Sequence, residues 1–192
     1  MVRKILVING NPDPSTARFS AALAEAYVRG ASLAGHQIRR IDVGSLDFQI
    51  LRSQSEFTQT AQPCDIREAQ HSVGWADHLV IIFPLWLGGA PALLKGFFEQ
   101  VFRYGFALTP PGETPKGLLV GRSARLIVTM GMPGAVFRLV FGAFGVRALE
   151  RGVLWLSGIR PIRHTIIGGV DDSVRGRLDW LNAMQKLGRS GA

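Results

Sequence analysis

The stretch from Asn9 to Ser20 gathers three hydroxyls, Ser15, Thr16 and Ser20, around one cation, Arg18, with Asn11 and Phe19 among them. Pro12 and Pro14 bar a regular element at its start, and an apolar-periodic segment follows directly. A helix that opens there offers unpaired backbone N–H groups and the positive end of its dipole. Hydroxyl donors and a guanidinium beside those groups suit a phosphate. The stretch contains neither Gly-Lys-Ser/Thr nor Gly-x-Gly-x-x-Gly, so it is not one of the common nucleotide loops. Asp13 reads as a turn-setting residue rather than an acid catalyst.

Two further stretches have a different chemistry. In Phe83-Pro84-Leu85-Trp86-Leu87-Gly88-Gly89, Pro84 fixes the backbone, Trp86 is large and flat, and Gly88 and Gly89 admit a planar ligand close to the main chain. In Thr129-Met130-Gly131-Met132-Pro133-Gly134, backbone amides beside glycines can bond the polar edge of a ring system, with Met130 and Met132 as lining. A phosphate loop plus two such loops suits a flavin, and a nucleoside monophosphate fits the same donors.

Other chemistries find little support. His36, His71, His78 and His164 are scattered, Cys64 is the single cysteine, and no Cys/His group has metal-ligand spacing. No bound metal is expected. No carboxylate pair or Ser-His-Asp set suggests a hydrolase.

The elements that must position these loops follow from periodicity. Val2–Ile8, Gln37–Val43, His78–Phe83, Ala124–Met130 and Arg160–Ile167 read as strands. Between them, helices are expected over about Ala17–Ala34 (capped by Ser15 or Thr16 and ended by Gly35), Asp65–Trp75, Pro91–Phe102 and Val136–Leu156. The Val136–Leu156 helix has candidate breaks at Gly142 and Gly145. A closing helix over Asp171–Leu187 takes Asp171 or Asp172 as its cap. Residues 44–63 read as a long loop, and Thr109–Gly121, with three prolines and three glycines, as a surface loop. Alternating strands and helices imply an α/β fold: a three-layer, doubly wound, five-stranded parallel sheet of order 2-1-3-4-5. Right-handed connections then bring the three chemistry-bearing loops to the carboxyl edge of that sheet.

At 192 residues the chain suits a single domain spanning 1–192. A hydrophobic fraction of 47% against 19% charged excludes disorder over most of it. The first apolar run is too short for a signal peptide, and no run reaches the roughly 18 residues of a membrane span. A soluble protein of the reducing cytoplasm is expected. The formal net charge is +8. Residues 1–115 carry 10 basic and 10 acidic side chains, and residues 116–192 carry 12 and 4, so the excess is entirely C-terminal. It favours anionic ligands and at most peripheral contact with a membrane. With no basic–aromatic alternation, nucleic acid is not an expected partner.

The stretch from Phe83 to Ala107, with Pro84-Leu85, then Pro91-Ala-Leu-Leu-Lys95-Gly96, Val101-Phe102 and Gly105-Phe106-Ala107, resembles the signature of the flavodoxin-like NAD(P)H:quinone oxidoreductase family. Phe19-Ser20 resembles the end of that family's phosphate loop, and Thr129-Met130-Gly131 its Thr-Gly-Gly loop. These matches occur in order over roughly residues 3–170. The resemblance implies a homodimeric, flavodoxin-like flavoenzyme, with FAD and FMN both open. It would pass a hydride from NADPH or NADH through flavin N5 to a quinone-like small molecule in a ping-pong cycle.

Residue by residue, the resemblance implies that Ser15, Thr16, Arg18, Phe19 and Ser20 hold the flavin phosphates, with Asn11 where the family often has a histidine. Pro84, Leu85, Trp86, Leu87 and Gly88, with Thr129, Met130, Gly131 and Met132, would hold the ring. Thr129, Gly131 and Met132 are the candidates for a catalytic role through amides facing the reduced ring. Glu99 falls where the family has an acid near the outer cofactor. Phe137 and about Ala143 stand where some members have Tyr and His. Arg122, Arg138, Arg147 and Arg151 favour NADPH through its extra phosphate. Two other readings fit part of the pattern: a flavodoxin-type electron carrier, which the basic charge disfavours, and a flavin-binding regulatory subunit of a membrane transporter.

Overall fold

The computed structural model describes residues 1–58, 62–170 and 174–192. Five parallel strands, β1 Lys4–Asn9, β2 Gln37–Asp42, β3 His78–Pro84, β4 Ser123–Thr129 and β5 Ile162–Ile167, form one sheet in the order β2-β1-β3-β4-β5. Ile5–Ile8 and Leu79–Phe83 are wholly buried, as continuous apolar runs require when both sheet faces are covered.

Strand alternation divides the core in two. Ile5, Val7, Val80, Ile82, Ile127 and Ile167 face helices α1 (Phe19–Leu33) and α7 (Val174–Ser190). Leu6, Ile8, Leu79, Ile81, Leu126 and Val128 face α3 (Cys64–Trp75), α4 (Ala92–Val101) and the segment that holds α5 (Gly134–Leu139) and α6 (Phe144–Leu149). Helices α1 and α7 cross at backbone contact. A Cβ on Gly30 would lie 2.0 Å from the Gln185 carbonyl oxygen, and one on Gly188 would lie 2.1 Å from that of Tyr27.

Several boundaries differ from the sequence expectation, each for a local reason. Helix α1 starts at Phe19, with Arg18 as an N-cap that makes no side-chain cap. The Ser15 hydroxyl instead accepts the Ala17 N–H at 3.3 Å, capping the turn before the helix. Pro91 is the N-cap of α4 rather than part of its first turn. The apolar stretch 136–156 is not one helix. Gly142 and Ala143 both take left-handed backbone, at φ 58° and 51°, which ends α5 and restarts the chain as α6. A π-helical segment, Glu150–Trp155, follows.

Within 44–63 lies a short helix, α2 (Gln54–Thr58). A reciprocal box starts it: Ser53 Oγ accepts the Glu56 N–H, and Glu56 Oε2 accepts the Arg52 N–H. The caps expected at Asp171 and Asp172 lie outside the described residues.

Candidate functional site

The loops after β1, β3 and β4 meet at the carboxyl edge of the sheet, tied by main-chain bonds. Gly10 N–H donates to the Ile82 carbonyl at 2.7 Å, Leu85 N–H to Thr129 at 2.8 Å, and Met130 N–H to Ile167 at 2.9 Å. This is the edge where doubly wound sheets bind ligands.

In the first loop the structure separates residues that face solvent from residues that hold the loop. Ser15, Thr16 and Arg18 are exposed. Asn11 and Ser20 are buried and bonded to each other, Asn11 Nδ2 donating to Ser20 Oγ at 2.9 Å. Asn11 Oδ1 also accepts the Asp13 N–H at 3.1 Å. In this structure their side chains shape the loop from within. Phe19 is half-buried against the α1/α7 core, with the Arg177 guanidinium over its ring.

The first turn of α1 has no acidic residue, and the N–H groups of Phe19, Ser20 and Ala21 make no hydrogen bond among the described residues. Asp13 sets the turn as expected, its Oδ1 accepting the Ser15 N–H at 2.9 Å, while Oδ2 pairs with Arg18. Those two contacts, the backbone donor first, hold its carboxyl below the usual carboxylate range.

In the second loop, Leu87 (φ 46°) and Gly88 (φ 80°) form a two-residue turn closed by reciprocal 3.0 Å bonds between Trp86 and Gly89. Leu87 is fully exposed, an uncommon conformation for a branched residue and one typical of functional sites. A Cβ on Gly88 or Gly89 would meet nothing within 4 Å, so both glycines leave open space on that side. A Cβ on Gly145 would lie 2.0 Å from the Gly88 carbonyl oxygen, so α6 sits directly on this turn, and the Gly89 N–H is spent within it. Gly145 thus lets α6 close on the Gly88 carbonyl. Trp86 is exposed, and Pro84 and Leu85 are half-buried.

In the third loop, Gly131 and Met132 are exposed, and their N–H groups make no hydrogen bond among the described residues. Met130 is different. It continues the inward alternation Leu126-Val128-Met130 into the core, and its N–H is already used. Its side chain packs in the core beneath the loop. Thr129 is buried at the end of β4, and its carbonyl anchors Leu85.

Around this edge, Leu139, Val140, Phe141 and Phe144 join Trp86 and Leu87 as exposed large apolar side chains. Arg138, Arg147 and Arg151 are exposed beside them. Arg122 is not available to a ligand here, because its guanidinium donates to the carbonyls of Val73, Gly74 and Val120. Glu99 pairs with Lys95 on α4.

Two cavities lie away from the loops. One of about 600 Å³ is bounded by Tyr104, Pro110, Lys116, Trp155 and Arg160. Another of about 520 Å³ lies between α2, Lys95 and Glu99 of α4, and the π-helical segment. Neither is lined by a residue singled out from the three loops. Gly145, a candidate break in the sequence, instead packs α6 on the Gly88–Gly89 turn, while Tyr104 and Trp155 had no expected role and their flanking of a proline-rich loop was the available signal.

The family model described as "Flavodoxin-like fold" matches residues 3–187. A ribosyldihydronicotinamide dehydrogenase [quinone] of Mus musculus is 27% identical, over 89% of this chain and 84% of its own length. An NAD(P)H:quinone oxidoreductase from Methanothermobacter marburgensis superposes with a TM-score of 0.83 at 26% identity, covering 100% of both chains. An FMN-dependent NADH-azoreductase of Bacillus anthracis shares the fold, with a TM-score of 0.76 at 15% identity over 99% of each chain.

Proposed function

The chain belongs to the flavodoxin-like fold family, in the company of NAD(P)H:quinone oxidoreductases, and on that premise we propose that it is a flavin-dependent oxidoreductase that uses NAD(P)H to reduce quinone-like acceptors. The observation that carries the reading is the donor set at the carboxyl edge of the sheet. Unpaired N–H groups at the start of α1, with Ser15, Thr16 and Arg18, fit an anionic phosphate group. Unpaired N–H groups of Gly131 and Met132, with the flat Trp86 indole across the Leu85–Thr129 bond, fit the polar edge and face of a ring.

A flavin held there would supply two-electron chemistry between NAD(P)H and the acceptor. The chain's own residues orient and stabilise. Gly131 and Met132 would offer fixed N–H dipoles to the polar edge of the ring, and Thr129 anchors the two ring loops to each other. Phe137 is buried and Ala143 has no proton to give, so no side chain at those positions moves a proton. The exposed apolar surface of Leu87, Leu139, Val140 and Phe144 supports a homodimer, with the ring loops near the subunit boundary.

The test is an absorbance spectrum of the purified protein with mass analysis of the released chromophore, followed by NAD(P)H oxidation with a quinone. A flavin spectrum and quinone-dependent turnover are expected. Protein that takes up neither FAD nor FMN on titration overturns the reading.

A further inference from the structure

At the opposite, amino-terminal edge of the sheet, four basic side chains share one face. The two-residue alternation of strands sets Arg3 with Ile5 and Val7, His78 with Val80 and Ile82, Arg125 with Ile127, and Arg163 with Thr165 and Ile167. Apolar members of all four sets belong to the core beneath α1 and α7, so the basic residues point to that side as well. The register puts them next to one another. His78 lies opposite Ile5 on β1 and Ser123 on β4, and Arg125 lies opposite Arg163 on β5.

Two of the four are buried: His78 is 3% exposed and Arg125 9%. No carboxylate answers them. No ion pair among the described residues involves Arg3, Arg125 or Arg163. Asp77, the neighbour of His78, gives its Oδ2 to the Lys4 N–H. The bonds that do form go to neutral groups. Arg3 Nη1 donates to the Gly191 carbonyl at 2.9 Å, and Arg125 Nη1 to Thr165 Oγ1 at 2.9 Å. His78 Nδ1 meets Ser123 Oγ at 2.7 Å. His78 Nε2 and Arg125 Nε are buried without a hydrogen-bond partner among the described residues.

Buried polar groups of native proteins are nearly always paired, and a buried cation left without a counter-charge is costly. Every charged neighbour acting on His78 is positive: Arg3, Arg125 and Arg163, added to burial, push the imidazole down to about 4. Burial, then Arg163, lowers Arg125 as well. The corner is therefore built for negative charge that the described chain does not supply.

We propose that this corner is a second ligand site, one that takes a small tetrahedral oxyanion of the phosphate class between Arg125 and Arg163, with His78 Nε2 as a further donor. The guanidinium forks of two arginines on adjacent strands match such an anion with paired donors. In the tautomer that accepts the Ser123 hydroxyl at Nδ1, the neutral imidazole carries its proton on Nε2, the nitrogen that lacks a partner among the described residues. Arg163 is exposed on an edge strand and gives the anion its way in. The site is at the far end of the strands from the flavin loops and does not depend on their assignment.

Thermal melting of the full chain tests this, in inorganic phosphate against sodium chloride at equal ionic strength. A saturable rise in Tm with millimolar phosphate is expected. Arg163→Gln changes an exposed residue and should abolish the rise. Arg18→Ala should keep it, which separates this site from the phosphate loop. Glycerol 3-phosphate in place of phosphate distinguishes the sources: a matching rise means the site opens to the phosphate end of a metabolite, and a rise with inorganic phosphate alone means a free ion. Identical melting in phosphate and chloride overturns the proposal. So does a rise that survives Arg163→Gln.

Discussion

The Asp13 carboxylate holds the Arg18 guanidinium, with Oδ2 2.6 Å from Nε and 2.6 Å from Nη2. The loop's one cation is thus already partnered, by a group with the same sign of charge as a phosphate. A ligand phosphate must share Arg18 with Asp13. We expect Asp13→Asn to tighten flavin binding a few-fold, because it removes the competitor and keeps an amide oxygen for the Ser15 N–H. We expect Arg18→Ala to weaken binding by roughly tenfold, the low end for a charge-assisted bond. Titration of apoprotein with FMN and FAD measures both, and weaker binding by Asp13→Asn contradicts the competition.

Arg138 lies on α5 a few positions after the third loop and is exposed. If it meets the extra phosphate of NADPH, Arg138→Ala lowers kcat/KM for NADPH by roughly tenfold, about 1.4 kcal/mol, and spares NADH. Equal losses with both donors assign Arg138 to solvent. A wild-type enzyme that prefers NADH has the same meaning.

Leu139 and Phe144 are 85% and 71% exposed, beside the fully exposed Leu87. Such a patch on a lone subunit marks an interface. Sedimentation equilibrium at micromolar concentration should give a dimer, and Leu139→Glu with Phe144→Glu should give a monomer. A wild-type monomer with full activity is the outcome that removes the dimer from the reading.

His78 gives stability a sign with pH. Its folded value of about 4 lies below the ordinary 6.5, burial acting first and the arginines after it. The neutral ring is thus the folded form. Stability is complete above about 6.5 and falls as pH drops toward 4, because the unfolded chain binds the extra proton. The expected slope approaches about 1.4 kcal/mol per pH unit. Urea unfolding in chloride at pH 7 and pH 5 reads it out. His78→Asn should flatten the dependence, and an unchanged slope in that variant points to other groups.

Gly188→Ala should destabilise the fold by about 3 kcal/mol or more, since its Cβ would meet the Tyr27 main chain and not a yielding side chain. Gly152→Ala, where a Cβ meets nothing within 4 Å, should cost little. Denaturant midpoints of the two variants make the comparison, and equal midpoints sink the claim of backbone contact at the crossing.

The sheet was legible because Leu6-Val7-Ile8 and Leu79-Val80-Ile81-Ile82 are too apolar to face water on either side, and right-handed connections leave few strand orders. The loop cluster followed from that order. What local pattern could not supply was direction. Nothing in the string distinguishes Met130, which continues an inward alternation, from Met132, which has left the strand. Asn11 and Ser20 read as ligand donors, and only the folded loop shows that they are buried and bonded to each other. Of the two candidate breaks in the apolar run, Gly142 is where the chain turns, and the string gave no sign that Ala143 beside it would also take left-handed backbone. The basic corner needed strand register, because Arg3, His78, Arg125 and Arg163 are far apart in sequence.

The glycine crossing of α1 and α7 also bears on how the chain is made. Tyr27, buried in the finished protein, is covered by α7, which is translated long after α1. Until α7 leaves the ribosome, the apolar side of α1 and the upper face of the sheet have no lid. The nascent chain must therefore carry a sticky half-core until α7 is made, a state that a chaperone would shield and that a pause before Val174 would prolong.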